Sequence, residues 1–466
     1  MKYLINSILA AIFFISPGRS CAQFNADPRG ALFNRELKTD IPVPALPKAA
    51  KAKNSWKVRK TITPMAPKEW TVMIFVNAKN NLELAGLYNV NEMEKIGSTR
   101  DLNIVVELGR MNGLQQGDTN LDGNWTGARR YLIKKDTDTM TVNSPVLMSA
   151  ALADLGDYKR AADFVRWSKE NFPAKRYMLI IWNHGSGFMD PRSERKGISF
   201  DDETGNYIRT PQIGLILKEA GKVDVLAFDA CLMQMPEIAF EVKDNADVIV
   251  GSEETVPGLG YPYSLFLGAM ANRPGMTAEE TGDIMVEAFK IFYDAVKKGA
   301  QLSAIRTSRL DELAVRISEF TKLARDIGDT DALKAARDGV IRYDAIGPGS
   351  DPEMKISFYG DLSQFAQLVS ANLKKDDARV AELRDKSAKL RDFIDKELVI
   401  NNKASLQNRV GRELSESRGI SVYLPPVETR ITQDRLEGIF EGKYTDFVFD
   451  KAAGWHDFVT YLYGIK

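Results

Sequence analysis

Two scarce and reactive side chains in this sequence each follow an apolar run of strand length. Residues 177–182 lead into His184 and residues 223–228 lead into Cys231, although the 466 residues hold only two histidines and two cysteines. Continuous apolar runs of this length are typical of buried strands in a parallel sheet, where ligands bind beyond the carboxyl ends of the strands. A thiol and an imidazole at that edge can act as a nucleophile and its proton carrier, so the pattern predicts a cysteine peptidase.

The turn after the first run supports a catalytic interpretation of His184. It reads Gly185-Ser186-Gly187, and glycine allows a sharp turn and a close approach to a ligand. The amide of Gly185 could then donate to a developing oxyanion. A histidine by itself is more often structural, so this interpretation depends on Cys231. The second histidine, His456, is interpreted as structural.

Cys231 has two interpretations. A cysteine after an apolar strand is usually a small buried hydrophobe. However, a helical pattern begins near Pro236, and the dipole of a nearby helix N-terminus favours a thiolate. The amide of Cys231 is a second candidate donor to an oxyanion. The other cysteine, Cys21, belongs to the N-terminal signal region.

Acidic residues lie close to both motifs in the sequence. Asp229 could cap the turn that follows it, or it could lie at the base of a pocket and pair with a substrate Arg or Lys. The sequence leaves these alternatives equal. Glu253 and Glu254, just past the next strand, either add negative potential at the same edge or belong to a solvated loop. No metal site is predicted, because one His and one Cys near the edge do not supply the usual zinc ligands.

Strand and helix patterns alternate from residue 70 onward. Strand patterns lie at 70–76, 102–108, 129–133, 177–182, 223–228 and 247–252, and helical patterns lie at 84–96, 158–171 and 210–220. This alternation predicts an α/β fold with a parallel sheet covered by helices on both faces. Beyond residue 277 the pattern is mostly helical, with one strong strand at 419–424 that we expect to join the same sheet.

The N-terminal 22 residues have the pattern of a secretory signal. A basic start precedes an apolar run too short to span a bilayer, followed by small residues. Cleavage after Ala22 and lipid modification of Cys21 are both compatible with it. Either predicts export to the periplasm, the cell surface or the medium. The basic, proline-containing leader at 23–68 is either a spacer or a removable pro-segment.

Composition places the remainder among ordinary globular proteins, with 44% apolar and 27% charged residues. Lys and Arg number 63, as do Asp and Glu, so nothing overall indicates nucleic acid or an anionic membrane as a partner. The length favours more than one domain. We expect a catalytic core at 69–276 and a mainly helical region at 277–466 that contributes a strand to the sheet.

Four segments together resemble the clostripain family of cysteine peptidases. They are residues 70–82, 177–187, 224–235 and 251–263, and the resemblance extends from about residue 70 to the C-terminus. It implies a caspase-like α/β/α sandwich with a mostly parallel sheet, and cleavage of proteins or peptides after Arg or Lys. It further implies His184 as general acid and base, Cys231 as nucleophile and Asp229 in the pocket for the basic side chain.

Lys79 departs from the family pattern, in which this position is often acidic. We therefore expect no required cofactor, and calcium has only the analogy with the family in its favour. The family is also commonly activated by self-cleavage between the His and the Cys. The matching loop, 189–197, is polar and contains three basic residues, so it is either the cleaved segment or a plain surface loop. Lys196–Gly197 is the favoured bond, with Arg195–Lys196 next.

The sequence thus predicts an exported cysteine endopeptidase that becomes two-chain after self-cleavage and is otherwise a monomer. The alternative is an exported binding protein that has lost catalysis on the same scaffold. The presence of both His184 and Cys231 with their glycine neighbours disfavours that alternative.

Overall fold

A computed structural model describes residues 56–58, 66–111, 119–188, 197–343, 358–408, 411–424 and 444–464. The predicted signal segment with Cys21, most of the leader, and the loop residues Arg195 and Lys196 lie outside the described residues. Within the described ranges, the chain forms one sheet of ten strands and a second sheet of three. The predicted α/β architecture is therefore confirmed.

The ten-stranded sheet is parallel at its centre and antiparallel towards both edges. Its strands are β1 (Lys57–Val58), β2 (Lys68–Ala78), β3 (Leu102–Arg110), β4 (Gly127–Leu132), β5 (Val146–Ala150), β6 (Ala174–Trp182), β7 (Val223–Asp229), β8 (Ala246–Gly251), β9 (Ala300–Arg306) and β12 (Val399–Ser405). Their order is β1-β5-β4-β3-β2-β6-β7-β8-β9-β12. Neighbours within the run from β3 to β8 are parallel, and all the pairs outside it are antiparallel.

The central strands are apolar because both of their faces are covered. Val72, Ile74 and Phe75 of β2 are fully buried, as are Leu179 and Ile180 of β6. A strand buried on both faces gains from an apolar residue at every position rather than at every second one. This accounts for the continuous apolar runs that precede His184 and Cys231.

Two layers of helices cover the sheet. The helices are α1 (Glu83–Glu94), α2 (Tyr158–Asn171), α3 (Thr210–Ala220), α4 (Pro236–Val242), α5 (Tyr263–Asn272), α6 (Ala278–Ala295), α7 (Leu310–Ile327), α8 (Thr330–Gly339), α9 (Leu362–Asn372), α10 (Val380–Phe393), α11 (Val448–Ala453) and α12 (Trp455–Gly464). Helices α1, α5 and α6 pack in one layer, and α2, α3, α4 and α7 pack in the other. Among the described residues, we find no helix with the length and apolarity needed to cross a membrane.

The predicted strand at 419–424 does not join the ten-stranded sheet, so that prediction is wrong. It forms β13 (Ser421–Tyr423), which pairs with β11 (Tyr359–Asp361), and β11 pairs with β10 (Arg342–Tyr343). The physical reason is that β12 already pairs with β9 at that edge of the main sheet. The C-terminal region therefore contributes β9 and β12 to the main sheet, while β13 lies over the segment that follows Cys231.

Residues 56–58 of the leader are attached to the opposite edge of the main sheet. Strand β1 pairs antiparallel with β5. Directly before β1, the ring of Trp56 lies 4.2 Å from the guanidinium carbon of Arg130 and 4.4 Å from that of Arg160. Both arginines are buried and pair with Glu107, at 2.7 and 2.5 Å. This short part of the leader is thus anchored rather than a loose spacer.

Candidate active site

The register of β6 and β7 brings the two predicted catalytic residues to the same edge. These parallel strands pair Trp182 with Asp229, and the amide of Asn183 donates to the Asp229 carbonyl oxygen at 3.3 Å. His184 and Cys231 each lie two residues beyond that last pair. The carboxyl ends of parallel strands point the same way, so both side chains leave the sheet at one crevice.

Gly185 makes the direct contact between the two turns. A β-carbon at position 185 would lie 2.5 Å from the carbonyl oxygen of Cys231 and 3.0 Å from the β-carbon of Ala230. A side chain at position 185 would therefore push the His184 turn away from the Cys231 turn. Among the described residues, none accepts a hydrogen bond from the Gly185 amide. The residue whose amide is the candidate oxyanion donor thus packs against the Cys231 main chain.

The turn that carries Cys231 is held to the segment after β8. Leu232 adopts a left-handed backbone conformation with φ +64°, which is costly for a residue with a β-carbon. Its amide donates to the carbonyl oxygen of Glu254 at 3.2 Å, and the amide of Val256 donates to Cys231 Sγ at 3.2 Å. Helix α4 begins at Pro236, as the sequence predicted. Cys231 itself is 1% exposed, so the turn presents a sheltered sulfur.

His184 is half-buried and has a partner that sequence analysis missed. Its Nε2 lies 2.7 Å from Oδ1 of Asn81. Asn81 follows β2, which is the other neighbour of β6 in the sheet. The available signal was the polar cluster that ends β2, because the neighbouring parallel strands deliver their next residues to the same edge.

The segment after His184 is anchored by the C-terminal region. The Tyr359 hydroxyl donates to the carbonyl oxygen of Ser186 at 2.7 Å, and Gly187 turns beneath that ring with φ +66°. The Phe188 ring packs edge-on in a cluster of aromatic side chains. Its neighbours are Tyr359, Tyr423, Tyr444 and Phe447, with ring centroids 5.5 to 6.1 Å away. The upstream end of the candidate cleavage loop is therefore fixed.

Asp229 is a buried carboxylate without a basic partner among the described residues. Its Oδ2 accepts from the amide of Tyr261 at 3.0 Å and from the hydroxyl of Tyr263 at 2.9 Å. Burial raises the pKa of Asp229 to about 7, while these two hydrogen bonds oppose that rise. Gly260 lies so close that a β-carbon there would be 2.8 Å from Oδ2. Its described contacts are with residues 261 and 263, so they do not cap the turn that follows Asp229.

Glu253 lies in the interior of the protein rather than in a solvated loop. It is fully buried, its Oε2 accepts from the amide of Gly419 at 2.8 Å, and Asp361 is its neighbour. Burial, reinforced by the charge of Asp361, raises the pKa of Glu253 well above its usual value. A protonated Glu253 can donate to the Asp361 carboxylate, so the two groups share one proton and carry a single negative charge between them.

Glu254 is buried rather than in a solvated loop, and it supports the Cys231 turn. It is 2% exposed, and its Oε2 accepts from the side-chain amide of Asn408 at 3.0 Å. Its carbonyl oxygen holds the Leu232 amide in the Cys231 turn. Glu254 therefore links that turn to the C-terminal region.

Gly197 is the one residue of the candidate cleavage loop within the described ranges. Its amide donates to Oγ of Ser186 at 3.1 Å, and its φ is +135°. A β-carbon at position 197 would meet the carbonyl oxygen of Ile208 at 2.1 Å. The downstream end of the loop is thus buried against the His184 turn.

Lys79 is buried between two carboxylates. Its Nζ lies 3.0 Å from Oδ2 of Asp201 and 2.7 Å from Oε2 of Glu203, and it also donates to the carbonyl oxygen of Ala153. A calcium ion does not fit here, because the ammonium group already lies between these oxygens. Elsewhere in the described ranges, no group of three or more His, Cys, Asp or Glu side chains could hold a metal ion. The second histidine, His456, stacks on the ring of Tyr444.

Comparison with known proteins identifies the family. The model of the clostripain family of C11 peptidases matches residues 74–461. Clostripain from Hathewaya histolytica is 28% identical over 257 residues, which are 50% of this chain and 49% of clostripain. The match therefore spans about half the length of that curated relative.

Two solved structures share the fold. A secreted C11 cysteine protease from Bacteroides thetaiotaomicron, in complex with an irreversible peptide inhibitor, is 20% identical with a TM-score of 0.59. The similarity covers 83% of this chain and 99% of that one. An inactive zymogen C11 protease from Parabacteroides distasonis is 18% identical with a TM-score of 0.60, covering 84% and 99%. The predicted caspase-like α/β/α fold is confirmed, and the match over residues 74–461 shows that this chain belongs to the clostripain family.

Proposed function

We propose that this protein is a cysteine endopeptidase that cleaves after Arg or Lys through His184 and Cys231. The observation that carries the proposal is the contact of Gly185 with the Cys231 main chain, in a register that brings both turns to one sheet edge. Membership of the clostripain family points to the same chemistry.

The mechanism is amide hydrolysis through an acyl-enzyme. In the reduced protein, Cys231 Sγ attacks the substrate carbonyl carbon, and the amides of Gly185 and Cys231 stabilise the oxyanion. His184 carries the thiol proton to the leaving amine as the C–N bond breaks, which leaves a thioester. His184 then takes a proton from water, and the resulting attack releases the acid and restores the thiol.

Asp229 is the proposed determinant of the preference for basic residues. It is buried, and no basic side chain of the described residues neutralises it. A substrate Arg or Lys would supply the missing cation, and a charge-assisted hydrogen bond in a dry site is stronger than one in water. Glu253 is not part of this proposal, because its carboxyl is paired with Asp361.

Self-cleavage in the 189–197 loop is the proposed activation step, and it would give a two-chain enzyme. Cutting Lys196–Gly197 would convert the buried Gly197 amide, which donates to Ser186, into an ammonium group. Cutting Arg195–Lys196 would leave that amide intact. The sequence favours Lys196–Gly197 as the cleaved bond, whereas the contacts of Gly197 favour Arg195–Lys196.

The remaining expectations complete the proposal. The enzyme is exported, with Cys21 as a candidate lipid attachment point, and its partners are protein or peptide substrates. It works as a monomer without a required cofactor, and the ammonium group of Lys79 occupies the position between Asp201 and Glu203. The rival, a binding protein without catalysis, is disfavoured because both His184 and Cys231 are present.

The test compares wild-type protein with Cys231→Ala and His184→Ala under reducing conditions. Each variant is expected to lose cleavage of an Arg-ended reporter peptide, and N-terminal sequencing should reveal the internal cut only in wild type. Lys196→Ala and Arg195→Ala then distinguish the two candidate bonds. Reporter cleavage by Cys231→Ala at the wild-type rate would refute the proposal.

A further inference from the structure

The ring of His184 is held by a residue on a neighbouring strand end. We propose that Asn81 is a positioning residue for His184, an inference that rests on the catalytic role of His184 proposed above. Oδ1 of Asn81 lies 2.7 Å from Nε2 of His184. A carboxamide oxygen only accepts hydrogen bonds, so Nε2 carries the proton in the neutral ring. Nδ1 is then the nitrogen that exchanges a proton with Cys231 and with the leaving amine.

The turn that presents Asn81 is fixed on both sides. Asn80 is fully buried, its Oδ1 accepts from the Leu82 amide at 2.9 Å, and its Nδ2 donates to the carbonyl oxygen of Phe200 at 2.9 Å. Lys79 is held by its carboxylate partners, Asp201 and Glu203. With both preceding side chains immobilised, Asn81 has little freedom to move away from the imidazole.

The same downstream segment also supports the His184 turn. The amide of Phe200 donates to Oδ1 of Asn183 at 2.9 Å, so residues 200–203 contact the residue before His184 as well as Lys79 and Asn80. This segment begins three residues after Gly197. His184 and Asn81 therefore share one support, which lies directly downstream of the candidate cut and which a cut before Gly197 would not sever.

Loss of the correct imidazole orientation should lower kcat and leave KM nearly unchanged. Loss of the whole acid–base contribution costs about 10²–10⁴-fold in rate, and a misoriented but present imidazole should cost part of that. We expect Asn81→Ala to lower kcat by about 10- to 100-fold with little change in KM. Asn81→Asp keeps the acceptor and adds a charge, so it should retain more activity than Asn81→Ala.

The pH profile separates positioning from a merely structural role. The imidazolium form of His184 must donate to the leaving amine, so the alkaline limb of kcat reports its pKa. A carboxylate at position 81 would raise that pKa, and Asn81→Asp should move the limb to higher pH. Asn372→Ala is the matched control and should not change kcat, because among the described residues the Asn372 side chain bonds only to Leu368 of its own helix, α9.

A second readout does not need activity. The chain has only two histidines, so ¹⁵N spectra of the imidazoles can be assigned to His184 by comparison with His456→Gln. In Cys231→Ala, where no thiol competes for the proton, neutral His184 should be protonated at Nε2. Adding Asn81→Ala should lower the fraction of His184 that is protonated at Nε2, and the spectra also show whether the variant is folded.

The outcomes are separable. Wild-type kcat in Asn81→Ala, or an unchanged tautomer, would overturn the inference while the losses in His184→Ala and Cys231→Ala left the proposed function intact. If those two variants kept turnover, the proposed function would fail, and the tautomer measurement would still report whether Asn81 orients the ring. A kcat loss equal in Asn81→Ala and Asn81→Asp, without a shift of the alkaline limb, would also overturn the inference.

Discussion

Gly185 lies so close to Cys231 that a β-carbon at position 185 would come within 2.5 Å of the Cys231 carbonyl oxygen. Glycine is required here by the packing of one turn against another rather than by an unusual φ angle. The contact fixes the separation between the His184 and Cys231 turns, and it places an amide beside the sulfur-bearing residue. One residue therefore both sets the spacing of the two turns and supplies the candidate oxyanion donor.

The first prediction is that Gly185→Ala lowers kcat by about 10²–10³-fold while the protein remains folded. The added methyl group would push the turns apart and displace the proposed oxyanion donor, and losing one such donor costs about 10²–10³-fold in kcat. Steady-state kinetics on an Arg-ended reporter measures the effect, and circular dichroism checks the fold. Gly275→Ala is the control, since a β-carbon there has nothing within 4 Å. Comparable activity of the two variants would contradict the prediction.

The second prediction concerns the pH dependence of Asp229. Its pKa is raised to about 7 by burial, and only the ionised carboxylate can pair with a substrate Arg or Lys. Because kcat/KM reports the free enzyme, kcat/KM for basic substrates should rise with pH through about 7. Asp229→Asn should depress turnover after Arg and Lys. It should also remove the rise of kcat/KM with pH. An unchanged preference in the variant would refute the role of Asp229.

The same substitution should stabilise the folded protein at alkaline pH. A carboxyl whose pKa is higher in the folded than in the unfolded chain binds more protons when folded, so stability falls as pH rises from the ordinary value towards about 7. Asn at position 229 carries no charge to bury. Urea unfolding at pH 8 should therefore show Asp229→Asn more stable than wild type, with a smaller difference at pH 5. A residue that costs stability but supports turnover is typical of a functional site.

The parts of the fold set by apolar periodicity could be predicted from sequence. The runs at 70–76, 177–182 and 223–228 became β2, β6 and β7 because each is buried on both faces. Strand β12, Val399–Ser405, was missed because it is an edge strand of polar, partly exposed residues. Edge strands gain less from apolar side chains, so their pattern is weak.

The site was predictable where chemistry followed a strand, and not where it depended on distant partners. His184 and Cys231 could be found from sequence because each follows an apolar run of strand length. The pairing of Glu253 with Asp361 depends on β11, more than 100 residues later, so nothing near Glu253 indicated burial. Asn81 was missed for a similar reason: its role exists only through the adjacency of β2 and β6.

The third prediction tests the proton shared by Glu253 and Asp361. Burial first, and then the charge of Asp361, raise the pKa of Glu253, so wild-type stability should fall as pH rises above the ordinary carboxyl range. Glu253→Gln keeps a donor towards Asp361 without a titratable proton. Its free energy of unfolding should therefore decline less between pH 5.5 and pH 8. Glu382→Gln, on the exposed face of α10, is the control; equal slopes for wild type and Glu253→Gln would contradict the shared proton.

The fourth prediction asks what the leader does. Trp56 stacks on Arg130 and Arg160, and β1 extends the sheet at β5. Compared with truncation through residue 55, truncation through residue 58 or the further substitution Trp56→Ala should destabilise the protein by about 2 kcal/mol through loss of two cation–π contacts. Trp56→Phe keeps an aromatic face and should lose less. Urea unfolding measures each effect.

Activity distinguishes an anchor from an inhibitory pro-segment in the same set of variants. Strand β1 lies five positions from β6 in the sheet, about 24 Å at the usual strand spacing. Residues 56–58 of the leader are therefore too far from the turn after β6 to cover His184. We expect kcat after processing to be the same with and without residues 23–58 at temperatures where both proteins are folded. A rise in activity on removing Trp56 to Val58 would instead mean that this anchor holds the enzyme in a less active state.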